Sequence, residues 1–493
     1  MSALAQTRAL DRRRGLTILI GAAAAAVGVA VVTGVTGFGA GSSLPFVVAL
    51  AIGVFAIVTI RPVIGAYIVF AVTPLLAGID RGAIVPALRP NEAVTALVVA
   101  ALLARAVWIG IARGWRRPAI APMDVPVVLL AVVSSFVPML WLAARGREIV
   151  ADDVLYGLTL WKFVATYAVA RYAVTTEREL IVCLRISLAI AALVSVIGIL
   201  QSLHLPGVTG FLGAYYAPYG NVQAVVSGRG GSTLALPVAA ADLLTFNIAI
   251  AIGFLSRSRN RRTSLTMIGL TILFLVGVMA AGEFSGMIGA VVGLIVAALV
   301  LRQVRLLAYA MPAIVIGSVA LRSVIMTRLE GFRSVSGLPV SWTGRIRNLT
   351  TYFWPELSRG NAFLLGVRPA ARIPVEGQAT GYVWIESGYM WLLWSGGLPF
   401  LLAFGWFIWR GIRRGLALVR RAGNGAAVVG LACVVGLVVV AALMPLDPHL
   451  TYRGSAELLF LLLGLASSRA AGGGGKDERA QNVRRPVELD QNG

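Results

Sequence analysis

The sequence is poor in charged residues, and few of those it has are acidic. Only 13% of its 493 residues are charged, whereas 58% are hydrophobic. A water-soluble globular domain has about 25% charged residues, so this composition excludes that class and indicates that the bilayer is the solvent. The 43 basic residues outnumber the 21 acidic ones. They lie between apolar runs, where they orient a membrane protein, so we expect no nucleic-acid partner.

Cysteine is also scarce. The two cysteines, Cys183 and Cys433, both lie in apolar segments. A disulfide framework or a cysteine metal cluster is therefore excluded, and both residues are predicted to be small core residues.

Apolar runs of about 17 to 25 residues recur along the chain, and each is long enough to cross a bilayer as a helix. They predict an all-α membrane protein with about 12 to 14 transmembrane helices in one domain, residues 1–469, whose first span is retained rather than cleaved. The Gly-rich, charged segment 470–493 is predicted to be a disordered tail. The candidate spans are 16–32, 44–60, 63–79, 93–112, 123–143, 155–173, 180–203, 232–255, 265–281, 285–301, 306–321, 387–409, 426–444 and 454–468.

Arginine clusters fall in every second gap between the candidate spans. Because cytoplasmic loops carry the excess of basic residues, these gaps and both termini are predicted to face the cytoplasm of a bacterial inner membrane. The two longest gaps, 205–231 and 322–386, are then on the outer face. Loops of this length between packed spans are usually functional, so the chemistry is expected there.

The predicted outer face is unusually rich in arginine. Guanidinium groups make paired, charge-assisted hydrogen bonds to phosphate oxygens, which favours a diphosphate ligand. The alternative is ordinary surface arginine, because lysine occurs only at Lys162 and Lys476 and arginine replaces it everywhere else. The arginines in question are Arg229, Arg322, Arg328, Arg333, Arg345, Arg347, Arg359, Arg368 and Arg372.

Four short motifs follow one another on this face. Segment 229–233 reads Arg-Gly-Gly-Ser-Thr and precedes Pro237 and an apolar run. Segment 280–286 reads Ala-Ala-Gly-Glu-Phe-Ser-Gly between two spans. Segment 343–345 reads Thr-Gly-Arg and is followed by Leu-Gly-Val-Arg-Pro at 365–369. Segment 386–399 begins Glu-Ser-Gly-Tyr-Met-Trp and leads back into the membrane.

In this order the motifs resemble the O-antigen ligase and O-antigen (exopolysaccharide) polymerase superfamily of multispan glycosyltransferases. The resemblance covers about residues 205–409 and implies a GT-C-like helical fold with short helices in the large outer loop, 322–386. The chain differs from the family pattern at Val238, where asparagine is usual, and at Phe284, where arginine is usual. Glu386 stands where ligases commonly have histidine, which favours the polymerase branch.

The resemblance implies a metal-independent, inverting glycosyl transfer without a cofactor. An acceptor sugar hydroxyl attacks the anomeric carbon of a glycan on polyprenyl diphosphate, which needs a base and a charge-stabilised leaving group. Glu386 is the first candidate base because desolvation raises the pKa of a carboxyl, and Glu283 is the second. The candidate diphosphate ligands are Arg229, Arg345 and Arg368. The candidate glycan contacts are Tyr389, Trp354 and His449.

Other ionisable residues are interpreted without a catalytic role. The adjacent Asp152 and Asp153 are interpreted as part of a solvated loop rather than a metal site. Lys162, Asp242 and Glu457 lie within spans, where an unpaired charge costs several kcal/mol. Ion pairs between helices are favoured for them over a proton or substrate path.

The expected partners are a polyprenyl-diphosphate-linked oligosaccharide, membrane lipids, and a chain-length regulator or other polysaccharide-assembly proteins. Ligase-like transfer to a lipid or other acceptor is an alternative to polymerisation. A lipid-linked-glycan transporter or flippase would share the span number, but the halves show no internal repeat. A non-catalytic scaffold would leave the arginine-rich outer loop unexplained.

Overall fold

The computed structural model describes residues 44–82, 88–115, 119–218, 221–322, 326, 340–375, 381–421 and 423–472. Throughout this part of the chain the structure is a helical bundle with a single two-stranded sheet. The sheet is the only strand structure among the described residues, so the prediction of an all-α membrane class is confirmed.

The helices follow the apolar runs. The first half contains α1 (Leu44–Ile60), α2 (Pro62–Leu76), α3 (Pro90–Arg113), α4 (Asp124–Ala144), α5 (Ala151–Gly157), α6 (Thr159–Ala173), α7 (Glu177–Ser202), α8 (Pro206–Tyr215) and α9 (Val222–Val226). The second half contains α10 (Pro237–Leu255), α11 (Arg261–Ala281), α12 (Phe284–Leu301), α13 (Ala310–Ala320), α14 (Val340–Asn348), α15 (Trp354–Ser358), α16 (Gly388–Arg421), α17 (Asn424–Leu443), α18 (Ser455–Ser467) and α19 (Arg469–Gly472).

Eight described helices are long and apolar enough to cross a bilayer, namely α3, α4, α7, α10, α11, α12, α16 and α17, and three shorter apolar helices, α1, α2 and α18, accompany them. Each predicted span from 44–60 onward contains a helix, but 306–321 is broken into a 3-10 turn, Val304–Tyr309, and the 11-residue α13. The predicted span 16–32 lies outside the described residues.

Helix ends coincide with local breaking signals in the sequence. Pro62 occupies the first turn of α2, where its missing N–H costs nothing. Thr176 caps α7 by accepting a hydrogen bond from the N–H of Glu179 at 3.3 Å. Gly282 adopts a positive φ of 62° at the end of α11, which lets α12 begin after a two-residue turn.

The centre of the bundle is formed by α10, α17 and α18. In the most apolar 18-residue stretches of α10 and α17, 89% and 83% of the residues are buried. Every residue of α18 is buried. The two free cysteines, Cys183 and Cys433, are buried in the surrounding core, as predicted. The other helices expose one face, which is the pattern of spans that contact lipid.

Alternate helix ends meet on one side of the bundle, which we call the loop side. There the Arg145 guanidinium donates to the Val367 carbonyl at 2.8 Å, and the Gly388 N–H donates to the Met444 carbonyl at 2.6 Å. On the far side the Glu177 carboxylate accepts from the Gly425 N–H at 2.8 Å. The segments predicted to share the outer face are therefore together on the loop side.

The described part of the 322–386 segment contains short helices, as predicted: α14, a π-helical turn at Leu349–Phe353, and α15. A hairpin was not predicted. It consists of β1 (Arg372–Pro374) and β2 (Tyr382–Trp384), which are antiparallel with Ile373 opposite Val383. At the other end of the chain, α19 includes the first three residues of the predicted disordered tail, and Ala470 and Ala471 are buried; residues 473–493 lie outside the described part.

The three ionisable residues that were singled out within the spans each have a partner. Lys162 Nζ lies 3.3 Å from Glu457 Oε1 and 3.6 Å from Glu92 Oε1, which joins α6 to α18 and α3. Asp242 Oδ2 lies 2.7 Å from His449 Nδ1, and both side chains are buried. The predicted pairing between helices is confirmed for Lys162 and Glu457, and for Asp242 the partner is a histidine from a turn.

The helix α16 is broken at Gly397, whose φ of 64° and ψ of −155° are not helical. The Leu398 N–H donates to the Phe363 and Leu364 carbonyls, and the Trp394 carbonyl accepts from the Val367 N–H at 2.7 Å. The loop backbone thus replaces the helical hydrogen bond across the break. The Leu398 N–H and the Trp394 carbonyl, which a continuous helix would bond to each other, therefore both have partners.

We expect Gly397→Ala to lower the free energy of unfolding by at least about 3 kcal/mol, because only glycine adopts this backbone conformation without strain and a Cβ would overlap the Leu364 backbone. The matched control is Gly405→Ala in the same helix, where a Cβ has no neighbour within 4 Å, and its effect should stay within about 1 kcal/mol. Unfolding of the purified variants measures both, and equal stability would contradict the strain argument.

Candidate functional site

A cavity of about 540 Å³ lies on the loop side, between the ends of the spans and the hairpin. We call it the charged cavity. Six basic and four acidic side chains line it, together with aromatic residues. The basic residues are Arg81, Arg89, Lys162, Arg345, Arg372 and Arg453; the acidic ones are Glu92, Asp152, Glu386 and Asp447; the aromatic ones are Tyr156, Trp384, Trp391 and Tyr452.

Two other hollows lie on the far side, and fewer ionisable side chains line them. One, of about 800 Å³, is lined by residues 256–260 and Asn424, and another, of about 530 Å³, by the start of α7 and Asn424. The one carboxylate in these two linings is Glu177, in the smaller hollow, and it already accepts the Gly425 N–H. The charged cavity is therefore the better candidate for a reaction that needs a base.

Arg345 connects three separate chain segments in the charged cavity. It projects from α14, and its Nη1 donates to Asp447 Oδ2 at 2.8 Å and to the Leu446 carbonyl at 3.1 Å. Its Nε lies 3.7 Å from Glu386 Oε1. The motif arginine and the re-entry glutamate, which are 41 positions apart in the sequence, are thus brought together with a second carboxylate that the motifs did not include.

Glu386 has the environment of a general base. Burial raises the pKa of its carboxyl, Arg345 lowers it, and the nearby Asp447 raises it again, with a net rise. The side chain also accepts a hydrogen bond from Asn348. The side chain is 37% exposed, so the carboxylate is accessible from the cavity.

Hydrogen bonds to buried side chains hold the turn that carries Asp447 in place. His449 Nδ1 is bonded to Asp242 of the central helix α10 at 2.7 Å. The Tyr452 hydroxyl donates to Asp447, and burial followed by that carboxylate raises the tyrosine pKa well above its ordinary value, so the hydroxyl remains a donor. The His449–Asp242 and Tyr452–Asp447 hydrogen bonds thus hold Asp447 in the position where it contacts Arg345.

Arg368, a predicted diphosphate ligand, forms a two-bond ion pair instead. Its Nε and Nη2 donate to Asp153 at 3.0 and 2.7 Å. Asp153 is fully buried and also accepts from the Ala370 N–H at 3.2 Å. The interpretation of Asp152 and Asp153 as a solvated loop was wrong, because Asp153 is in the core and Asp152 pairs with Arg372 Nε at 2.7 Å. Local sequence could not reveal partners more than 200 positions apart.

Arg229 and Glu283 form an ion pair with each other. Neither is among the residues that line the charged cavity. The pair joins the segment before α10 to the turn between α11 and α12, where the Gly230 N–H also donates to the Ala280 carbonyl at 3.0 Å. Two of the four motifs are therefore adjacent, but their ionisable residues are engaged with each other.

The predicted glycan contacts lie around the cavity rather than in its lining. The Tyr389 hydroxyl donates to the Ala441 carbonyl at 2.9 Å, and Trp354 is 57% exposed on the loop. His449 is only 1% exposed, although its neighbours Asp447 and Pro448 line the cavity. Glycan contacts by these three residues stay a prediction, and Trp384, which lines the cavity and is only partly buried, is better placed.

The sequence reasoning missed several residues that line the cavity. Arg81, Arg89 and Arg453 lie in gaps on the loop side, so the argument from outward arginines applies to them equally. Asp447 stands between two prolines directly after a span. These signals were present, but no motif distinguished them from ordinary interfacial residues.

No group of three or more potential metal ligands is arranged around a common point among the described residues, so metal independence stays a prediction based on the family resemblance. Neither a family model nor a curated protein sequence matches the chain, so its function is inferred from the charged cavity and its sequence motifs.

Proposed function

We propose that the protein is a membrane glycosyltransferase that polymerises polyprenyl-diphosphate-linked oligosaccharide units on the extracytoplasmic face of a bacterial inner membrane. The observation that carries the proposal is a half-buried carboxylate, Glu386, beside a guanidinium, Arg345, in a cavity with six basic residues. A glycosyl transfer from a diphosphate needs this combination of a base and fixed positive charge.

In the proposed reaction, the Glu386 carboxylate removes the proton of an acceptor sugar hydroxyl. The hydroxyl oxygen bonds to the anomeric carbon from the face opposite the leaving group, while the bond from that carbon to the diphosphate oxygen breaks. The diphosphate leaves with the electron pair, and the cavity arginines stabilise its charge. The anomeric configuration is inverted, and no further reactant is needed.

Two features support a glycan substrate. Trp384, which is only partly buried, lines the cavity two residues before Glu386, and aromatic faces stack on sugar rings. The charged cavity lies on the loop side. The arginine distribution predicts that this side is the outer face of the membrane, where lipid-linked glycans would be joined.

The test is a reconstituted reaction in nanodiscs with a lipid-linked oligosaccharide as the sole substrate. A ladder of longer glycans with release of polyprenyl diphosphate supports polymerisation. Single transfer that occurs only when a lipid acceptor is added supports ligase-like activity instead. Movement of intact substrate across proteoliposomes without cleavage of the anomeric bond would support a transporter and overturn the proposal.

The pH dependence of transfer provides a separate prediction. The base must be ionised, and burial raises the pKa of Glu386, so activity should fall on acidification at a higher pH than for an ordinary glutamate. Asp447 also raises this pKa, so Asp447→Asn should move the acidic limb of the kcat profile to lower pH. Glu356→Gln, outside the cavity lining, should not move the limb. An unmoved limb in Asp447→Asn would assign it to another group.

A further inference from the structure

A shallow apolar groove adjoins the charged cavity. It has a volume of about 300 Å³ and runs between α3 and α6. Its apolar lining is Leu88, Ala96, Leu155, Leu158, Trp161 and Ala165. Leu155 and Leu158 are 45% and 54% exposed, so the groove lies at the surface of the bundle, where lipid tails would contact it.

The groove and the charged cavity are continuous. They share Arg81, Glu92, Leu155, Thr159 and Lys162 in their linings. The apolar wall therefore leads directly to basic side chains, which is the order of an isoprenoid chain followed by its phosphate groups. An occupant with a long apolar tail and a compact anionic end would match both parts.

Among the basic residues that line the cavity, Arg453 has the clearest capacity to bind an anion. It lines the cavity, and its Nη1 is buried without a hydrogen-bond partner among the described residues. A buried donor of a charged group is destabilising when unpaired, so a ligand oxygen there would be favoured. The other basic residues of the lining have carboxylate or carbonyl partners, for example Arg81 with Glu92 at 3.4 Å.

Short contacts place the backbone that follows Arg453 beside the mouth of the groove. The N–H of the next residue, Gly454, donates to Glu457 Oε2 at 2.6 Å, and the other oxygen of that carboxylate is 3.3 Å from Lys162 Nζ. Lys162 lines both the groove and the cavity. An anion on Arg453 would therefore lie near the point where the groove meets the cavity.

We infer that the carrier lipid binds with its isoprenoid chain in the groove between α3 and α6 and its diphosphate on Arg453. This inference rests on the proposed function for the nature of the lipid. It places the diphosphate at the groove end of the cavity and leaves the part near Glu386 and Trp391 for the sugars.

The inference is tested with purified protein and polyprenyl diphosphate that carries no glycan. Arg453→Gln should weaken its binding about 10- to 100-fold, the range for a lost hydrogen bond to a charged group. Ala165→Trp, which fills the groove, should weaken it at least about 10-fold, because the chain loses apolar contact. The controls are Arg359→Gln, whose side chain is 71% exposed on the loop, and Ala106→Trp, on the exposed surface of α3.

Parent-like binding by Arg453→Gln would overturn the diphosphate assignment, and parent-like binding by Ala165→Trp would overturn the groove. Equal competition by phosphatidylglycerol would mean that the groove holds ordinary bilayer lipid, which also overturns the inference. Arg453→Lys, which retains the charge, should bind with intermediate affinity and remains informative if Arg453→Gln does not fold. Because glycan-free lipid is the probe, binding can be lost or kept whether or not glycosyl transfer is detected.

Discussion

Replacing Glu386 with glutamine should reduce glycosyl transfer about 10²- to 10⁴-fold, the usual contribution of a positioned general base. The amide has nearly the same shape as the carboxyl but cannot accept the proton of the acceptor hydroxyl. The contact with Arg345 is long, at 3.7 Å, so the protein should still fold and bind its lipid substrate. Single-turnover kinetics with saturating substrate isolates the chemical step from binding.

The matched control is Glu356→Gln, which removes a carboxylate from the same loop. Glu356 pairs with Arg359 at 2.5 Å, and that arginine is 71% exposed, so the pair contributes little. Transfer by this variant should equal that of the parent. If Glu386→Gln retains more than a tenth of the parent rate, then Glu386 is not the base.

The second large effect is expected on stability. Asp153→Asn should lower the free energy of unfolding by about 3 to 5 kcal/mol, because it removes one partner of a buried, two-bond ion pair. Arg368→Ala leaves the fully buried Asp153 carboxylate uncompensated and should cost a similar amount. Thermal or denaturant unfolding of purified protein measures both variants.

A double-mutant cycle distinguishes this structural role from the diphosphate role predicted by the motif. If the two side chains act mainly on each other, the double variant should be less destabilised than the sum of the single variants. KM for the lipid-linked glycan should then change little in Arg368→Ala molecules that remain folded. A large rise in KM without a loss of stability would instead support Arg368 as a diphosphate ligand. Arg347→Ala, at an exposed position of α14, serves as the control, with a change within about 0.5 kcal/mol.

The spans could be predicted because each depends on a local property, the length of an apolar run. The two-residue turn at Gly282 and the first turn of α2 at Pro62 are likewise local. The break at Gly397 was missed, although two glycines and Pro399 mark it, because its conformation depends on the loop backbone that bonds to the helix. A pattern within one segment carries no information about that partner.

The candidate site could be predicted only where local motifs mark its residues, and not where its geometry depends on distant partners. The motifs singled out Arg345 and Glu386, and the structure brings these two residues together in the charged cavity. They could not separate Arg345, which faces the cavity, from Arg368, whose partner Asp153 lies 215 positions away. Arg453 was missed because its interest comes from an unpaired buried nitrogen, a tertiary property with no counterpart in the sequence.

The break at Gly397 divides α16 into two parts that are held by different neighbours. The turns before the break are bonded to the loop through the Trp394 carbonyl, and they begin two residues after Glu386. The turns after it are anchored on the far side, where Arg414 donates to the Ala466 carbonyl at 2.9 Å. The first part is also bonded to α17 and its end, because the Tyr389 hydroxyl donates to the Ala441 carbonyl and the Gly388 N–H to the Met444 carbonyl. Glu386 thus directly precedes a short segment that is braced by the loop on one side and by the bundle on the other, which fixes the carboxylate relative to both.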